Sequence, residues 1–375
     1  MKFGIITLPV NYNFGGILQA YALQTILSKL GHEGYIINPD YGEPRGILEK
    51  VLTYSPRIFR KYILHQNIPI KKEFLRKAWF NSCSKNTYSF ICKHLNLYTI
   101  HNLKDLNKSD FDGFIIGSDQ IWRKKFTSGL FGVSDIYDVF GAFLNKKKNR
   151  IFAYAPSFGV DSIEDYNQKD FKRISKILKN YTGVSCREDS GTELLKTYFS
   201  CPCARTVLDP TLLLDREDYM SLLNIDNEES RSEIVSYILD RNKKTDRVIN
   251  KIENLLNKHS VEINNQTPGT PQYHVEYWLK SIANSDFVVT DSFHATVFAI
   301  IFQKPFLVIA NSSRGVSRLD NLLSKFGLED RLINDADDKS TSSLAVDLSS
   351  NDDVILKLRE DSLNFLTDSI AKIQK

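Results

Sequence analysis

The sequence predicts an α/β fold with two parallel sheets, each covered by helices, and a cleft between the two units. Three observations carry that expectation. Short, fully apolar runs alternate with amphipathic helical stretches, the pattern of strands buried on both faces. The alternation starts over in the second half of the chain. At 375 residues the chain also exceeds the usual size of one hydrophobic core, so two domains are expected.

Taken in order, FGIITL (3–8) reads as the first buried strand and leads through NYNFGG into the helical stretch LQAYALQTILSKL, which stops at Gly31. YIINPD (35–40) is the next strand. A basic helical segment follows, then the strands DGFIIGSD (112–119), IFAYAPSFG (151–159) and TGVSCRE (182–188), each stopped by Gly, Ser or charged residues, and the short helix SGTELLKTYF. The second half repeats the scheme with EIVSYIL (233–239), a charged helix, VEINN (261–265), the helix HVEYWLKSIANS, DFVVT (286–290), a helix after His294, and PFLVIA (305–310). The last stretch, NDDVILKLREDSLNFLTDSIAKIQK, has helical apolar spacing and an acidic first turn. These units place one domain at 1–190, with a basic helical insert at about 42–105, and a second at 191–350. A closing helix at 351–375 packs back on the first domain.

Hydrophobic residues make up 42 % and charged residues 25 %, a soluble globular composition. The uncharged character of Phe287 to Gln303 is broken by Asp291 and His294, so no segment reads as a bilayer span. The N-terminus has too short an apolar run for a signal peptide and reads as a strand of a cytoplasmic protein. Five cysteines without zinc spacing read as reduced structural thiols, with no metal site. Positive charge is concentrated between Arg45 and Lys77, where nine Lys/Arg face two Glu and aromatic residues are interleaved. Such a segment (45–80) either lies on an anionic membrane or polyphosphate, or is a solvated helical face. No nucleic-acid-binding signature accompanies it.

In parallel sheets ligands bind beyond the carboxyl ends of the strands, which selects four turns. In NYNFGGILQ, Gly15 and Gly16 allow close backbone approach and Asn13 and Gln19 can bond hydroxyls; the plainer reading is a helix start capped by Asn13. In GSDQIW, Asp119 can take a proton from a sugar hydroxyl, Ser118 and Gln120 can orient it, and Trp122 can stack on the ring; the plainer reading is a capping Ser or Asp. In SCREDS, Arg187 presents paired donors to a carboxylate or phosphate, or pairs with Glu188 or Asp189. In TDSFH, a helix start follows Asp291-Ser292, and His294 is either a hydrogen-bonded core residue or a group that gives and takes a proton. Arg314 and Arg318, four apart in NSSRGVSRL, follow the next strand and can reach the same anion.

Five segments in their order, NYNFGG…LQAYAL, GSDQIW, SCRED…LL, LDPTLLL (208–214) and NSDFVVTDSFHATVFAIIFQKPFLVI, resemble the polysaccharide pyruvyl transferase family over nearly the full length. The resemblance implies two Rossmann-like domains in a GT-B-like arrangement, with an acceptor-side N-terminal and a donor-side C-terminal domain. It implies transfer of the enolpyruvyl carbons of phosphoenolpyruvate onto two hydroxyls of one sugar, a polysaccharide precursor carried on a lipid, with release of phosphate. Phosphoenolpyruvate is then a co-substrate and no further cofactor is expected. His294 falls on the family's motif histidine, as general acid or phosphate partner, and Arg187 on a motif arginine that binds the donor. Many members read Arg-Leu-His where this chain has Ser292-Phe293-His294, so Ser292 stands where a donor-binding arginine is missing; Arg314 or Arg318 is expected to replace it. The rival readings are a nucleotide-sugar-dependent glycosyltransferase on the same fold and a catalytically silent saccharide-binding relative.

Overall fold

A computed structural model describes residues 1–40, 46–127, 136–144, 150–163, 166–223, 233–311, 314–335 and 352–373. Arg45, the start of the expected insert and the end of the expected second domain lie outside the described residues.

The first half opens β1 (Lys2–Ile6), α1 (Phe14–Lys29), β2 (Glu33–Pro39) and then three insert helices, α2 (Ile47–Tyr62), α3 (Lys72–Cys83) and α4 (Thr87–His94). It continues β3 (Leu97–Ile100), β4 (Gly113–Ile116), α5 (Lys124–Thr127), β5 (Ile151–Ala153) and α6 (Gln168–Leu178). The strands form one parallel sheet in the order β3-β2-β1-β4-β5. Its central strands are the apolar runs read from sequence, and all four residues of β4 are buried. The insert is shorter than expected: it ends at α4, because LYTI at 97–100 pairs with β2. That strand sits at the sheet edge with only Ile100 buried, so it carries no continuous apolar signal.

The first layer also runs past the expected boundary at 190. A bridge from Ala153 to Val184 extends it to β6 (Ser185–Cys186), α7 (Asp189–Phe199) and β7 (Arg205–Thr206), with β6 and β7 paired. Phe199 of α7 stacks on Phe158 at 5.8 Å and belongs to the same core.

After α8 (Arg216–Met220) the second half comprises β8 (Ile234–Tyr237), α9 (Lys243–Leu256), β9 (Ser260–Glu262), α10 (Val275–Asn284), β10 (Phe287–Thr290), α11 (Phe293–Ile301), β11 (Phe306–Ile309), α12 (Ser317–Lys325) and β12 (Leu332–Ile333). Its parallel sheet has the order β12-β11-β10-β8-β9. The closing helix α13 (Asp352–Ala371) reaches back to the first half: Thr182 Oγ1 donates to the Ser369 carbonyl, and the Phe365 and Tyr154 rings lie 6.3 Å apart.

One hydrophobic core crosses both halves, and α1 stands in its middle, buried on nearly every side. Phe14, its first residue, stacks on Trp278 of α10 at 5.3 Å. Insert helices α3 and α4 also reach the second half, through Ser82 Oγ to the Gly269 carbonyl and Asn86 Nδ2 to the Gln272 carbonyl. Among the described residues no helix is long and apolar enough to cross a membrane.

Candidate active site

The carboxyl ends of β1, β4, β8 and β10 open on one cleft of about 390 Å³ between the halves. Tyr12, Gly15, Asp119 and Gln120 line it from the first half, and Tyr237, Ser292, His294, Arg314 and Arg318 from the second. Two helices begin there. Asn13 caps α1 by accepting the Gly16 N–H at 2.9 Å. Ser292 is the N-cap of α11, but its side chain makes no capping bond. The first-turn N–H groups of α11 therefore have no side-chain acceptor of that kind. Asp291 turns away from the helix and accepts from the backbone of Leu239 and Asp240 and from Asn311 Nδ2, tying together the loops after β8 and β11. Burial pushes its carboxyl up.

His294, 8 % exposed, lies on the cleft wall. Its ring packs on Gly15 so tightly that a Cβ there would stand 2.1 Å from Nδ1. Its Nε2 has no hydrogen-bond partner among the described residues and stands 3.7 Å from Asp209 Oδ2.

Asp209 is the centre beneath that wall. It is buried and accepts from Arg187 Nη1 at 2.7 Å, Ser118 Oγ at 3.0 Å, and Thr211 through N–H and Oγ1 at 3.0 and 2.7 Å. Burial opposes its charge, yet His294 and the Arg187 guanidinium hold the carboxyl well below the usual range. The sequence signal at Asp209 is that of a cap before Pro210, and the residue does cap the following turn. Nothing local marks its contact with Arg187 and His294, which come from other strand ends.

Arg187 was expected to meet the donor directly. The structure sets it one layer behind the cleft, in a small adjoining pocket, with its guanidinium 4.2 Å over the Phe293 ring. Its Nε and Nη2 lack hydrogen-bond partners among the described residues; Nη2 stands 3.9 Å from Asp119 Oδ1, which reaches the cleft. Its main partner is Asp209 at 2.7 Å rather than Glu188 or Asp189; Glu188 Oε2 stands 3.8 Å from its Nε.

Arg318 lines both the cleft and that pocket, is 7 % exposed, and its Nε has no hydrogen-bond partner among the described residues. Burial, then the like charge of Arg187, pushes it down to about 10, as befits a guanidinium short of an anion. Arg314 is held bidentately by Asp240 at 2.8 and 2.9 Å. Of the two candidates for the missing arginine, Arg318 has a nitrogen to offer. Behind it, Gly315 (φ +83°) meets Gly159, whose carbonyl would stand 2.4 Å from any Cβ placed there.

Asp119 lines the cleft in a left-handed conformation, φ +65°, a cost commonly kept at functional positions. Gln120 lines it too, accepting from Arg123 Nη1. Three expectations are corrected. Ser118 is fully buried and spends its hydroxyl on Asp209. Gln19 is fully buried and bonds Thr7 Oγ1 and the Gly16 carbonyl, joining α1 to β1. Trp122 is fully buried, stacked on Phe140 at 5.1 Å, with no face left for a sugar. The aromatic residues lining the cleft are Tyr12, Phe80, Phe126, Tyr237 and Phe293 instead. Phe80 comes from the insert, which the sequence read as surface.

A family model described as polysaccharide pyruvyl transferase matches residues 13–313. No curated protein matches the sequence. Among solved structures, a UDP-N-acetylglucosamine 2-epimerase from Rickettsia bellii is similar at 10 % identity and a TM-score of 0.51, over 100 % of this chain and 97 % of that one. An α-glucosyltransferase in complex with UDP and a 13-mer DNA is similar at 12 % identity and a TM-score of 0.50, over all of both chains. At such identities the likeness is one of fold: two Rossmann-like domains in the GT-B arrangement.

Proposed function

The chain belongs to the polysaccharide pyruvyl transferase family, and from that premise we propose that it moves the enolpyruvyl group of phosphoenolpyruvate onto two hydroxyls of one sugar in a lipid-linked polysaccharide precursor. The observation that carries this reading is the pair His294 and Arg318, both buried on the cleft wall: among the described residues Arg318 Nε has no hydrogen-bond partner, and His294 Nε2 has none nearer than Asp209 at 3.7 Å. Such groups cost stability unless a ligand completes them. A phosphate and a carboxylate on one small molecule would do so, with the uncapped start of α11 beside them.

In this reading Arg318 and the α11 N–H groups bind the donor's anionic groups. Arg187 and Asp209 hold His294 from below. His294 delivers a proton to the methylene carbon, which leaves electron deficiency at C2 for a sugar hydroxyl to attack, and Asp119 takes a hydroxyl proton. The second hydroxyl then displaces phosphate. Two hydroxyl protons are released; one balances the proton placed on the methylene carbon and the other leaves with phosphate. Tyr12 and Phe80 flank the space left for the sugar.

The test is incubation with phosphoenolpyruvate and a panel of aryl and lipid-linked glycosides. The expected product is heavier by one pyruvate less water, with equimolar phosphate. Release of a nucleoside diphosphate from a sugar nucleotide, without that product, would replace this reading with glycosyl transfer.

A further inference from the structure

Helix α2 is built with its apolar side facing outward. Leu48, Val51, Leu52, Ile58, Phe59 and Tyr62 recur at helical spacing on one side, and each is between 45 % and 73 % exposed. The side turned to the protein is polar: Arg57 pairs with Glu73 of α3 and donates to the Ile70 carbonyl. A helix packed onto a globular core shows the reverse arrangement. Exposed Arg60 and Lys61 flank the apolar side, Lys50 is exposed on the side that carries Arg57, and Lys71, Lys72 and Lys77 extend the charge along α3. Across residues 47–83 eight Lys/Arg stand against two Glu.

We propose that α2 and α3 seat the protein on an anionic lipid bilayer, the apolar side of α2 sinking to the boundary between headgroups and acyl chains. An outward apolar face and basic flanks are the two signals that together hold a helix at such a surface. The basic excess selects anionic lipid over a second copy of this chain, which would bring the same positive charge. The surface is continuous with the cleft: α3 carries Trp79, which packs on Gly269 of the second half, and Phe80, which lines the cleft beside Tyr12. A saccharide on a lipid carrier would meet the cleft mouth next to the bilayer. That last step rests on the proposed transferase reading; the docking itself does not.

The test is co-sedimentation of the full chain with phosphatidylcholine vesicles, with and without phosphatidylglycerol. The expected result is binding to the anionic vesicles that weakens with salt. Leu52→Glu with Phe59→Glu should weaken it at least tenfold, and Lys50→Glu with Lys61→Glu should abolish the preference for anionic lipid. All four positions are exposed, and phosphate release with a water-soluble glycoside should be unchanged in both variants. The proposal is overturned if anionic vesicles are not bound, if the Leu52/Phe59 variant binds like the parent, or if a dimer forms through this face and dissociates in Phe59→Glu. Vesicle binding by a protein inactive toward phosphoenolpyruvate would leave the docking intact and remove only the transferase reading.

Discussion

The His294 imidazole rests on Gly15 at a distance that leaves no room for a methyl group, since a Cβ there would lie 2.1 Å from Nδ1 and 2.3 Å from Cγ. The contact joins the first turn of α1 to the first turn of α11, and so the two halves of the protein. Within a helix, Gly to Ala usually stabilises by up to about 1 kcal/mol. Here the ring would have to move. A displacement of an ångström at a catalytic group costs about 100-fold in rate. Gly15→Ala should therefore lower kcat by about that factor while the thermal midpoint changes little; kinetics and calorimetry on the same sample check it.

Asp209→Asn should keep the shape of the site and remove its buried charge. Leaving Arg187 without its partner should cost about 3–5 kcal/mol in urea unfolding. The pH dependence has a definite sign. The folded carboxyl is held well below its unfolded value of about 3.9, so its contribution is fully present above that pH and is lost progressively as pH falls below it toward the much lower folded value. The parent should lose stability between pH 5 and pH 3 more steeply than Asp209→Asn.

The two arginines after β11 should behave differently. Arg318→Gln removes a buried cation on the cleft wall whose Nε has no partner among the described residues, and should raise the donor KM about 10- to 100-fold, the loss of one or two charge-assisted hydrogen bonds. Arg314 is already matched by Asp240, so Arg314→Gln should leave the donor KM within about threefold. Equal effects at both positions would contradict the division of roles.

On the acceptor side, Phe80→Ala should raise the acceptor KM about tenfold, and Trp122→Phe should not change it. Phe80 lines the cleft, whereas Trp122 is closed off by Phe140 and Phe158. Steady-state kinetics with one glycoside at varied concentration separates the two.

These contrasts mark what was legible in the sequence. The apolar strands and the turns at their carboxyl ends were readable because burial on both faces leaves an uninterrupted run, and the cleft opens at three of the four selected turns. His294, Asp119 and Arg318 reach the cleft from them or from the loop beyond. Ser118 and Trp122 share the segment with Asp119 but are buried, and no local pattern declares either that or the left-handed backbone at Asp119. Asp209 was hidden by its role as a cap, and Phe80 by its place in a charged insert. Both become site residues only when separate segments close together, information carried by tertiary packing.

The central claim is tested most directly by running the reaction with phosphoenolpyruvate in deuterated water and examining the product by mass and proton NMR. The account predicts a ketal whose methyl group carries a single solvent deuterium, with inorganic phosphate released, and a signal lost in His294→Ala. Full activity in His294→Ala, or no ketal from any glycoside while a sugar nucleotide is consumed, would contradict it.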